Sequence, residues 1–60
     1  MYDKITITKG DIDEVVEHLD MNGYCFERIG QNLYVYSEET DYVETILVDH
    51  QCEYEVNDGM

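Results

Sequence analysis

The sequence has no proline, two cysteines, one phenylalanine and only 3 basic residues in a chain of 60. Two cysteines permit one bridge at most, which excludes a cysteine-stapled secreted scaffold. No apolar run approaches the ~18 residues of a membrane-spanning helix. The first residues, MYDKITITKGD, lack the apolar stretch of a secretory signal. The expected location is therefore the cytoplasm. Without proline, punctuation falls to the glycines at positions 10, 23, 30 and 59. No linker, internal repeat or low-complexity stretch divides the chain, so residues 1–60 are read as one domain.

Against the shortage of bases stands an excess of acids. Asp and Glu total 15, and the formal charge is −12. A domain of this length buries only ~60% of the surface that its unfolded chain exposes. Its core supplies no more than ~3–5 kcal/mol of net stability. Like-charge repulsion works against that small margin. The composition is nevertheless 43% hydrophobic with six tyrosines, which is too apolar for a disordered acidic segment. The charge sits on a folded body. It disfavours direct binding to nucleic acid or to an anionic membrane, and it favours a basic protein surface.

Hydrophobic periodicity gives the elements. Ile5 and Ile7 alternate with Lys4, Thr6 and Thr8, predicting a strand from Tyr2 to Thr8. Asp11 is placed to cap a helix, with Glu14 three residues on as in a capping box. Ile12, Val15, Val16 and Leu19 form one apolar stripe on it. Asn22-Gly23 ends it, with Gly23 suited to the left-handed position after the cap. Tyr24–Ile29 and Leu33–Tyr36 read as strands joined in a hairpin by Gly30-Gln31-Asn32. Ser37 is a candidate cap for a second helix running from Glu38 to about His50, with Tyr42, Val43, Ile46 and Leu47 on its apolar side. The acids of its first turn suit the helix dipole. Cys52, Tyr54 and Val56 alternate with Glu53 and Glu55 in a last strand.

The order β-α-β-β-α-β is that of the ferredoxin-like split βαβ arrangement. The predicted fold class is α+β. A four-stranded antiparallel sheet, ordered 4-1-3-2, carries two helices on one face. The expected core is Ile5, Ile7, Ile12, Val15, Val16, Leu19, Phe26, Leu33, Val35, Val43, Ile46, Leu47, Tyr54 and Val56. Cys25 and Cys52 then lie on opposite sheet edges, ~14 Å apart. That exceeds the ~7 Å limit for a disulfide, so two free thiols are expected.

Two surfaces emerge. The helices turn acids outward: Asp13, Glu14, Glu17 and Asp20 on the first, and Glu38, Glu39, Asp41, Glu44 and Asp49 on the second. The three bases lie outside both helices. Helices pack ~8–10 Å apart, so two rows of carboxylates can imitate the phosphate rows that flank a DNA groove. Charge runs are more often solvated faces kept for solubility, but ~2–8 net charges suffice for that. The second surface is the open sheet face. There Tyr34 and Tyr36 stand beside Thr6 and Thr8, with Glu27, Glu53 and Glu55 at the margins. Sheet aromatics also occur in RNA-recognition domains. Here the flanking residues are acidic and the basic-glycine-aromatic pattern of those domains is missing.

Signals for chemistry are weak. No pair of carboxylates is marked by an apolar pocket. Asp49-His50-Gln51-Cys52 and His18 contain ligand types but no zinc spacing. Asp11-Ile12-Asp13 lacks the rest of a calcium loop. His50 reads as a surface residue at a helix end. Acids around the cysteines disfavour a nucleophilic thiolate. The expectation is a non-enzyme with no cofactor and no metal.

The reading is therefore an acidic inhibitor that occupies a basic, nucleic-acid-binding surface of a partner protein. Its expected contact residues are Asp13, Glu17, Asp20, Glu38, Glu39, Asp41 and Glu44. Their role is steering and salt bridging to Lys and Arg, which sets on-rate and register more than affinity. In size, charge and lack of catalytic groups the chain resembles small phage inhibitors of host defence or DNA-handling proteins: anti-restriction, anti-CRISPR and DNA-glycosylase inhibitors. The resemblance is of type, without a family motif, and implies the host cytoplasm as the place of action. The rival reading is a non-catalytic module or regulatory subunit that docks or homodimerises through the open sheet face, using Tyr34, Tyr36, Glu53 and Glu55.

Overall fold

The computed structural model describes residues 1–57. Gly59, one of the expected punctuation points, lies outside the described residues. The elements are β1 (Tyr2–Lys9), α1 (Ile12–Met21), β2 (Phe26–Ile29), β3 (Asn32–Tyr36), a 3-10 turn (Ser37–Glu39), α2 (Thr40–Asp49) and β4 (Glu53–Asn57). The sheet order is β2-β3-β1-β4 with every neighbouring pair antiparallel. This is the expected ferredoxin-like order.

Strand alternation sets the two faces of the sheet. Ile5 and Ile7 of β1 and Leu33 and Val35 of β3 point to the helices and are fully or almost fully buried. Val15, Leu19, Val43 and Leu47 meet them from α1 and α2, and Ile12, Ile46 and Cys52 close the core. Val16, Tyr24, Phe26 and Tyr54 pack at its margin. The accessible surface, 3962 Å², matches the ~4,100 Å² expected of a self-standing chain of this mass.

Local chemistry explains the ends of the elements. Asp11 caps α1, its carboxylate accepting from the backbone N–H of Asp13 and Glu14. Both helices end in Schellman motifs. After α1, Gly23 N–H donates to Asp20 O and Tyr24 N–H to Leu19 O, with Gly23 at φ +74°. After α2, Gln51 N–H donates to Val48 O and Cys52 N–H to Leu47 O. Gln51 holds the left-handed position at φ +57°, where glycine is the usual choice. The β2–β3 hairpin turns through Gly30-Gln31, with positive φ at Gly30 only. That is the glycine-first preference of a type II′ turn.

Several expectations are corrected. β2 begins at Phe26, not Tyr24, because Tyr24 serves the helix-ending motif over Leu19. The second helix starts at Thr40, not Glu38, and Ser37 does not cap it. The Ser37 hydroxyl donates instead to Met1 O and to the carboxylate of Asp3. Asp3, absent from the expected core, is a buried carboxylate that also accepts from Thr40 Oγ1 at 2.6 Å. Val56 is not core. It pairs with Ile5 near the far end of the edge strand and is 38% exposed. Cys52 is buried in the turn before β4 and Cys25 is exposed, both as free thiols.

Candidate partner-binding surfaces

His50, at the C-terminal end of α2, meets His18 and Glu14 of α1. Tyr24, just past the C-terminal end of α1, meets Tyr42 in the first turn of α2. The two helices therefore run antiparallel, side by side, with their outer surfaces on a common face.

That face separates the seven expected contact acids into two groups. Glu17, Asp20, Glu38 and Asp41 are exposed, and among the described residues their carboxylates take part in no ion pair or hydrogen bond. Two of the other three, Asp13 and Glu44, are engaged, and the third, Glu39, is half-buried. Asp13 is bound by Arg28, which reaches over from β2 with an N–O distance of 2.5 Å. Glu44 accepts from Tyr54 Oη at 3.0 Å. Glu39 is half-buried, and its Oε2 has no hydrogen-bond partner among the described residues. Burial and the contact with Glu44 raise the Tyr54 phenol above the ordinary range. The partners of Asp13 and Glu44 come from other elements, so sequence spacing could not single them out.

The same face carries apolar side chains. Met21 is 79% exposed and Tyr42, expected on the apolar stripe of α2, is 62% exposed. Met21 follows the exposed acid Glu17 by four residues and so shares its side of α1, while Tyr42 follows exposed Asp41 in the first turn of α2. Of the bases, Lys9 lies 4.0 Å from Glu53 and Lys4 stands between Tyr34 and Asn57 in the sheet. Exposed apolar side chains and free carboxylates thus occur together on the two-helix layer.

On the open sheet face the strand register places Tyr34 opposite Lys4 and Glu27. Thr6 lies between Asn32 and Glu55, and its hydroxyl donates to Asn32 Oδ1. Tyr36 stacks on Tyr2 with ring centroids 4.8 Å apart, and the two hydroxyls share a 3.3 Å hydrogen bond. The Tyr36 phenol is raised above its ordinary range, first by that hydrogen bond and then by repulsion between two phenolates. Beside the stack is an open groove of about 420 Å³ lined by Tyr2, Cys25, Phe26, Glu27, Tyr34 and Tyr36. Tyr2 is the member of this surface that alternation alone did not single out. Its pairing with Tyr36 follows from the antiparallel register.

A third cluster lies where the helices meet. His18 Nδ1 and His50 Nε2 are 3.2 Å apart and the rings are edge-on, while Glu14 Oε2 is 3.7 Å from His50 Nδ1. His50 is thus half-buried against α1 rather than free at a helix end. These residues line a second open groove, of about 510 Å³. Among the described residues no group of three or more His, Cys, Asp or Glu side chains converges in a metal-binding arrangement. No helix of the described residues is long and apolar enough to cross a membrane. Compared with known proteins, the chain matches no family model, no curated protein and no solved structure.

Proposed function

We propose that this chain is a protein-binding inhibitor that covers a basic, nucleic-acid-binding surface on a partner protein with the outer face of its two helices. The observation that carries the reading is the occurrence of four unengaged carboxylates, Glu17, Asp20 and Asp41 on the antiparallel helices and Glu38 in the turn that leads into α2, together with exposed Met21 and Tyr42. Carboxylate rows offer a Lys- or Arg-lined groove the charge that it ordinarily finds on phosphates. Met21 and Tyr42 add contact area that phosphates lack, and large exposed apolar side chains are the usual anchors of such interfaces. A net charge of −12 strains a small fold and exceeds what solubility requires. Interception of a DNA-binding protein, in the manner of phage-encoded anti-restriction or anti-CRISPR inhibitors, accounts for that excess.

The test is capture of partners from bacterial lysate on the immobilised chain, followed by elution with salt and, separately, with duplex DNA. Elution of the same protein by both supports competition for a nucleic-acid surface. A partner that resists both, or that is captured equally by a Glu17→Lys/Glu38→Lys variant, contradicts it. The Tyr2–Tyr36 stack and its groove favour a second reading, docking or homodimerisation through the open sheet face. In that case Tyr34→Ala and Tyr36→Ala abolish binding while the helix variants do not.

A further inference from the structure

The helix-junction histidines have no part in the proposed inhibition, and their geometry is specific. They come from elements 32 positions apart in sequence, so helical periodicity does not dictate their meeting. Each is held by its backbone. His18 sits inside α1, and His50 is the C-cap of α2, its N–H donating to Ile46 O. The Schellman bonds that follow fix the chain on its other side.

We infer that His18 and His50 form a two-nitrogen site for a divalent transition-metal ion of the zinc class. His18 Nδ1 and His50 Nε2 are the protein ligands, Glu14 supports His50 from behind, and water completes the shell. Two nitrogens bound to one tetrahedral zinc at 2.0–2.1 Å are separated by ~3.3 Å. The two ring nitrogens here are already 3.2 Å apart. Without a metal, that approach requires a proton between them, with one ring donating and the other accepting. A metal ion takes the place of that proton.

The second support is Glu14. Its Oε2 lies 3.7 Å from His50 Nδ1, the nitrogen other than the one facing His18. That separation is too long for a hydrogen bond, but the negative charge favours an N–H on Nδ1 over one on Nε2, the tautomer that leaves the Nε2 lone pair facing His18. Closing this 3.7 Å gap to hydrogen-bond distance would give the carboxylate–histidine–metal relay that orients ligands in established zinc sites. The groove is open to solvent, so water can fill the remaining positions. Glu17, Met21 and Asn22 also line it, and no cation lies among these lining residues to oppose a metal. Imidazole nitrogens select zinc, copper and nickel over calcium and magnesium, which prefer oxygen.

The experiment is calorimetric titration of the whole chain with Zn²⁺ at neutral pH, in physiological salt with excess Mg²⁺ to occupy diffuse acidic sites. One Zn²⁺ per chain is expected. His18→Ala and His50→Ala should each weaken binding at least tenfold, and Glu14→Gln, which keeps both imidazoles, should weaken it by roughly tenfold. Far-UV circular dichroism checks that each variant is folded. In the unmodified chain, one equivalent of Zn²⁺ should shift the NMR signals of both histidine rings and leave those of Glu53 and Glu55 in place. Unchanged histidine signals, or equal affinity in the His18→Ala/His50→Ala chain, would overturn the assignment.

Discussion

Thr40→Val probes the most exacting polar contact in the fold. Asp3 sits on the helix-facing side of β1, 7% exposed. Its carboxylate is satisfied by Thr40 Oγ1 at 2.6 Å and Ser37 Oγ at 3.1 Å. Valine keeps the shape of threonine and removes the donor, leaving one carboxylate oxygen buried and unpaired. A hydrogen bond to a charged group contributes about 1.5–3 kcal/mol, so the expected loss is about 2 kcal/mol. That is about half of the ~3–5 kcal/mol available to a domain of this size. At ~4–8 °C per kcal/mol, the melting temperature should fall by roughly 10 °C. Urea denaturation followed by circular dichroism measures the loss directly. Ser37→Ala removes the longer, more solvated bond and should cost about 1 kcal/mol. The Asp3→Val/Thr40→Val pair, with acceptor and donor both gone, should recover most of the loss. A Thr40→Val protein within about 0.5 kcal/mol of the parent would refute the reasoning.

Three further predictions concern the backbone and the phenols. Gly10→Ala should destabilise by about 2–3 kcal/mol in the same urea assay. Gly10 has φ +119°, and a Cβ there would lie 2.5 Å from Cys52 Sγ and 3.0 Å from its Cα. Gln51→Gly relieves the left-handed φ of +57° at the end of α2, and should raise stability by about 0.5–1 kcal/mol despite the greater freedom of glycine when unfolded. Tyr54, being raised, stays protonated in the folded chain at a pH where the unfolded chain has begun to ionise. Its contribution to stability should therefore be constant below about pH 10 and be lost as pH rises beyond it. Tyr54→Phe should flatten that alkaline limb in thermal melts taken across the range.

Local signals made the architecture legible. Ile5 and Ile7 alternate, Ile12, Val15, Val16 and Leu19 recur at helical spacing, and Gly23 and Gly30 stand where the chain needs positive φ. Each of these depends on near neighbours. What was not legible depends on residues distant in sequence. Ser37 looks like a helix cap because serine commonly is one, yet its hydroxyl goes to Asp3, 34 positions away. Tyr42 fits the apolar stripe of α2 but falls on the flank beside Tyr24 and stays exposed. The acidic face was visible as a row of seven residues. Its division into four exposed and free, two engaged and one half-buried depends on Arg28, Tyr54 and the packing around Glu39. No periodicity brings His18 to His50.

The central claim is that the free helix carboxylates recognise the partner. The most direct measurement compares two variants in the salt- and DNA-eluted capture from lysate. One neutralises Glu17, Asp20, Glu38 and Asp41 as amides, and the other removes the sheet stack with Tyr2→Ala/Tyr36→Ala. Loss of the captured protein with the amide variant, and its retention with the tyrosine variant, is the result predicted. Retention with the amide variant and loss with the tyrosine variant would contradict the account and move recognition to the open sheet face.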